Sequence, residues 1–139
     1  MASAATQANP RLIALTLPSI PGSVPVARLQ VRAALASRGL GEYADDAEII
    51  TSELVTNAVQ HLCDNGTQTI EVTITYAESP AAVTIAVSDS SPRGPIRRDM
   101  TAGSEQGRGL QIVEALSVHC GWHQEGGGKV IFAVLAREA

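Results

Sequence analysis

Glu53, Asn57 and His61 stand at i, i+4 and i+8 in the stretch Glu53-Leu54-Val55-Thr56-Asn57-Ala58-Val59-Gln60-His61. On a helix that spacing puts them on one stripe. A carboxylate and a carboxamide one turn apart can divide a task. The amide oxygen can ligate a hard cation such as Mg²⁺, while the carboxylate orients or deprotonates a nucleophile. The plainer reading of the same stripe is a solvated helix face. Asp89 follows an alternating run, residues 83–88, and precedes a long loop. It is placed either to accept a hydrogen bond from a ligand or simply to initiate a turn. Gly107-Arg108-Gly109-Leu110 has two glycines where a helix should begin. Backbone N–H groups there can approach a phosphate, although a Gly-x-Gly often marks only a turn. No Gly-Lys-Ser/Thr follows, so this is not a Walker loop. The preceding strand lies about 17 residues away, too far for a dinucleotide-binding turn.

Other candidates carry less. The loop 90–106 is long for a compact domain, and such loops are commonly lids or disordered segments. Its Arg93, Arg97 and Arg98 can neutralise phosphates or form a solvated basic patch. His119 and His123 share a strand face but do not complete a tetrahedral metal site. Cys63 has no evident base partner, and no Gly-x-Ser-x-Gly elbow occurs.

The elements that must hold these residues follow from periodicity. Residues 11–17 read as a short apolar strand, and Pro18, Pro21 and Gly22 mark a loop. A helix over 23–38 takes Pro25 in its first turn and Gly39 at its end. A second helix runs from just after Gly41 to Leu62. Asp45 and Glu48 have capping-box spacing, and Ile50, Leu54, Ala58 and Leu62 form its apolar stripe. Asp64-Asn65-Gly66 reads as the turn that ends it. Strict alternation then predicts strands over 70–76 and 83–88, joined as an antiparallel hairpin. A helix over 107–118 buries Leu110, Val113 and Leu116. Strands over 120–124 and 129–135 close the chain through Glu125-Gly126-Gly127-Gly128. The central hairpin has one polar face, which excludes a doubly wound parallel sheet. The expected fold is α+β: a two-layer α/β sandwich with a mixed, mostly antiparallel sheet and helices on one face.

Composition sets the outer limits. The 139 residues suit one domain, read as 11–139 behind a flexible leader over 1–10. Hydrophobic residues at 45% can fill a core. Aromatic residues at 3% are too few for a base-stacking platform, and a net charge of −4 argues against direct nucleic-acid binding. No apolar run reaches the roughly 18 residues of a membrane span, and residues 1–10 show no secretion pattern. Two cysteines, Cys63 and Cys120, fit free thiols in a reducing cytoplasm.

In order, a helical Glu-x-x-x-Asn, a strand-end Asp, a long loop and a Gly-Arg-Gly-Leu helix start resemble the N, G1 and G2 boxes of the GHKL ATPase superfamily. Glu53-Leu54-Val55-Thr56-Asn57-Ala58, Gly107-Arg108-Gly109-Leu110 with Ile112 and Val113, Gly121-Trp122 and Gly128-Lys129-Val130 point further. Together they resemble the bacterial anti-sigma-factor serine kinases, especially the small ATP-binding regulators abundant in actinobacteria. The resemblance covers roughly residues 12–135. It implies ATP and Mg²⁺ as cofactors, with Asn57 on the metal, Glu53 as general base and Asp89 accepting from the adenine amino group. Gly107, Arg108, Gly109 and Leu110 would lie by the nucleotide, with the 90–106 loop as lid. The first box departs from Asp-x-Gly-x-Gly: here it reads Asp89-Ser90-Ser91-Pro92-Arg93-Gly94, and Gly94 arrives late. The implied partners are a sigma factor and a STAS-type anti-anti-sigma protein, and homodimerisation enters through the resemblance alone. The alternative is a nucleotide-responsive module that sequesters a partner without catalysis.

Overall fold

The computed structural model describes residues 10–61, 68–89 and 105–136. Five strands and three helices follow in the order β1 (Arg11–Pro18), α1 (Ser23–Ser37), α2 (Ala44–His61), β2 (Thr69–Glu78), β3 (Ala81–Asp89), α3 (Glu105–Leu116), β4 (His119–Glu125) and β5 (Gly128–Ala136). The strands form one sheet in the order β1-β2-β3-β5-β4. All four pairings are antiparallel, so the expected mixed sheet is antiparallel throughout the described residues.

Alternation decides which face is the core. On β2, Ile70, Val72 and Ile74 are buried; on β3, Val83, Ile85 and Val87; on β5, Ile131, Ala133 and Leu135. These side chains meet the helical layer, and the intervening Thr and Ser residues lie on the opposite face. The helix α2 is the hub of the helical layer, packing on α1, α3 and strands β2, β3 and β5. It is accordingly buried over more of its circumference than one stripe: Thr51, Val55, Asn57 and Val59 join Ile50, Leu54 and Ala58.

Helix α1 ends as its sequence requires. Gly39 takes φ +73°, a conformation that L side chains rarely adopt. Its N–H bonds Ala36 O at 3.2 Å and the Leu40 N–H bonds Leu35 O at 2.8 Å. This is the Schellman arrangement, with Leu40 packed against the core.

The capping box proposed for Asp45 and Glu48 does not form. A 3₁₀ turn over Gly41–Tyr43 leads directly into α2, so Asp45 already lies inside the first turn. Both carboxylates reach α1 instead. Arg32 donates from Nη2 to Asp45 Oδ1 at 2.6 Å and from Nε to Glu48 Oε2 at 3.0 Å. An inter-helix guanidinium is a stronger donor than a backbone amide, and it wins both acceptors. The hydrogen bond from Arg32 is the main cause holding the Glu48 carboxyl below its ordinary value of 4.5; the charges of Arg32 and Arg28 add to it, and partial burial opposes it. A depressed carboxyl contributes stability that is present above the ordinary value and lost as pH falls through the folded one. Arg32→Gln is therefore expected to return the Glu48 titration, followed by carboxyl NMR, towards 4.5. It should also flatten the acid limb of the stability profile. An unchanged titration would mean that the pair does not persist in solution.

Candidate functional site

Three candidate features lie on successive elements of the chain. The C-terminal end of α2 leads through residues 62–67 to the start of β2, where Ser19 N–H bonds Gln68 O at 2.9 Å. Ile70, the second residue of β2, is the register partner of Asp89, the last residue of β3. Residues 90–104 then connect Asp89 to the N-terminus of α3. In chain order the Glu-x-x-x-Asn helix, the strand-end carboxylate and the glycine-bearing helix thus follow one another through residues 62–67 and 90–104, and the first and last of them pack together in the helical layer.

On α2, Glu53 is half-buried and Asn57 is 6% exposed. The stripe is therefore not a solvated face at Asn57, because α3 and the sheet close around α2. Asn57 Oδ1 is buried and has no hydrogen-bond partner among the described residues. An unsatisfied buried amide oxygen costs about 1–3 kcal/mol, so such an atom calls for a reason. A hard oxygen donor held out of water and free of competing donors fits a Mg²⁺ ligand. The side chain of His61 lies outside the described residues.

Asp89 faces the helical layer, in the same alternation as Val83, Ile85 and Val87. Directly opposite it on β5 stands Lys129. Lys129 Nζ lies 2.8 Å from Asp89 Oδ2, with the two side chains 1% and 2% exposed. In the sequence Lys129 stands only within the Gly128-Lys129-Val130 segment that carries the resemblance, with no functional role of its own. Its signal was present: it is the only lysine of the chain and leads the alternation Lys129, Ile131, Ala133, Leu135. The apolar residues on both faces of β5 hid which alternate set pointed inwards.

Helix α3 begins at Glu105, two residues before the expected start, so Gly107 and Arg108 complete its first turn and Gly109 opens the second. It ends at Leu116 because Val118 already joins the sheet, its N–H bonding Val134 O at 2.8 Å. Val113 is buried, Leu116 packs against the core and Leu110 is half-buried. Gly94, Cys63, the 64–66 turn and most of the 90–106 loop lie outside the described residues.

An open depression of about 600 Å³ lies along the other face of the sheet, lined by Thr16, Glu71, Thr73 and Ser88 and reaching the strand ends at Asp89 and Lys129. It does not include Glu53 or Asn57, so it is not the cleft that the helix motif would serve. His119 and His123 flank Phe132, with ring centroids 5.4 and 6.1 Å away, and His123 Nε2 meets Glu125 Oε1 at 2.9 Å. Among the described residues no helix is long and apolar enough to cross a membrane.

No curated protein matches the chain. The crystal structure of the RsbU and RsbW domains of Rv1364c from Mycobacterium tuberculosis superposes with a TM-score of 0.67 at 23% identity. The superposition covers 91% of this chain and 32% of that one. The chain therefore spans about a third of that protein's length, and at this identity the likeness is one of fold. The sequence model of the histidine kinase-like ATPase domain matches residues 17–135, a span that contains Glu53, Asn57, Asp89 and Gly107–Gly109. A match over that much of the chain settles its membership: this protein belongs to the histidine kinase-like ATPase domain family.

Proposed function

We propose that this protein is a cytoplasmic Mg-ATP-binding regulator of the anti-sigma-factor kinase type, which phosphorylates a serine of a STAS-type anti-anti-sigma protein, sequesters a sigma factor, or does both. One observation carries the reading: Asn57 Oδ1, buried and without a partner among the described residues, stands one helical turn from Glu53 in a chain of the ATPase family. Asn57 would hold Mg²⁺, which when bound neutralises charge on the triphosphate. Glu53 would accept the proton of the serine hydroxyl as its oxygen attacks the γ-phosphorus and the bond to ADP breaks. The N-terminus of α3 would offer its unpaired amides, that of Gly107 among them, to the phosphates, with Arg108, Gly109 and Leu110 beside the nucleotide, and Asp89 would accept from the adenine amino group. Such a reaction needs positioning and charge stabilisation more than covalent chemistry, and helix-borne groups position well.

The test is transfer of labelled γ-phosphate to a STAS-domain protein. Glu53→Gln is expected to lower the transfer rate by about 10²–10⁴-fold, the usual contribution of a general base, with Mg-ATP binding retained. Transfer at the wild-type rate would remove Glu53 from the role of base. The second reading, a partner-binding module without chemistry, is favoured by a different observation: the Asp89 carboxylate is already engaged by Lys129. It predicts sigma-factor binding without any transferred phosphate.

A further inference from the structure

Resting on the placement of Asp89 as acceptor for the adenine amino group, we infer that Lys129 sets base selectivity at this site by competing with that amino group for the carboxylate. Three features of the pair point to competition. Asp89 and Lys129 are direct register partners on β3 and β5, so the backbone itself holds the two side chains together. Both face the helical layer at the strand ends, in step with the buried residues of their strands. Their 2.8 Å contact is shielded from water, so solvent does not weaken it.

The chemistry follows from what an incoming base would meet. A hydrogen bond to an unengaged buried carboxylate is worth about ten- to a hundred-fold in binding. Here the ammonium of Lys129 already matches the carboxylate charge and occupies Oδ2. An arriving amino group would either exchange one strong bond for another at Oδ2 or meet Oδ1 of a carboxylate whose charge is already matched, and in both cases most of its advantage would cancel. On the proposed reading the phosphate end of the nucleotide would be held elsewhere, by Asn57 and the α3 start, and would not depend on this exchange. The protein would therefore bind purine triphosphates with little preference for a 6-amino group.

The test compares ATP with purine riboside triphosphate, which lacks the 6-amino group, each titrated with Mg²⁺ by calorimetry. Wild type is expected to prefer ATP by less than about three-fold, and Lys129→Met to raise that preference to about ten-fold or more. The ratio cancels any general loss of stability in the variant. If Lys129→Met does not fold, Lys129→Gln keeps one hydrogen-bond donor without the charge and should raise the ratio part of the way. The gain must also vanish in Asp89→Asn/Lys129→Met. A wild-type preference already near ten-fold that falls in Lys129→Met would overturn the inference while keeping Asp89 as base reader. A gain that survives in the double variant would overturn it too. ATP binding with one unchanged ratio in wild type, Asp89→Asn and Lys129→Met would remove Asp89 itself from the base site. No binding of either nucleotide by any variant would reject the ATP reading as a whole.

Discussion

Asp89→Asn is expected to lower the stability of the nucleotide-free protein by about 3–5 kcal/mol, because it leaves the buried Lys129 ammonium without its counter-charge. For a domain of this size that is a fall of about 10–20 °C in the unfolding midpoint. The size comes from the asymmetry of buried charge: the pair as a whole adds little to stability, but one unpaired member is strongly unfavourable. Asp89→Leu combined with Lys129→Met removes both charges and should recover most of the loss. A fall of under about 3 °C for Asp89→Asn would show that Lys129 reaches water or another partner when its carboxylate is taken away. The prediction also governs how nucleotide experiments on Asp89 are read. A ligand at 100 times its dissociation constant adds about 2.7 kcal/mol, less than the loss expected from the broken pair. Binding by Asp89 variants must therefore be judged by the increment that nucleotide adds to each variant, not by its absolute midpoint.

The second large effect is expected at Asn57. Asn57→Ala should abolish the Mg²⁺-dependent part of ATP binding while leaving the nucleotide-free stability within about 1 kcal/mol of wild type. Two terms nearly cancel in the free protein. Removing the unsatisfied Oδ1 relieves about 1–3 kcal/mol, and the space left in a packed layer costs a similar amount. In the loaded protein nothing replaces the oxygen ligand. Titration of ATP with Mg²⁺ and with EDTA separates the two contributions. Equal losses in both would reject the metal role. A large loss of stability without nucleotide would show instead that Asn57 is held by structural hydrogen bonds.

Much of the fold was legible because its signals are local. Alternation of Ile70, Val72 and Ile74 with Glu71 and Thr73 specifies a strand with one wet face. Val83, Ile85 and Val87 do the same for its partner, and the short link between them leaves only a hairpin. Gly39 after a helical period fixes where α1 must stop. The order of the Glu53–Asn57, Asp89 and Gly107–Gly109 segments was legible as well, and it was this order that pointed to the family.

The chemistry of the site was less legible, for a physical reason that each miss shares. Asp45 and Glu48 carry capping-box spacing, but spacing cannot say that Arg32 of the preceding helix will reach them first. Asn57 reads as surface because its own helix offers a better apolar stripe. Only the packing of α3 and the sheet around α2 buries it and leaves its oxygen without a partner among the described residues. Lys129 stands 40 positions beyond Asp89 in the chain, and it meets that carboxylate because β5 inserts between β3 and β4 in one register. The sequence by itself determined the elements, their faces and the family, since those follow from period, polarity and turn chemistry along the chain. The tertiary structure alone decided which polar atoms lose water and which charges pair, since both depend on which distant segments come to lie beside them.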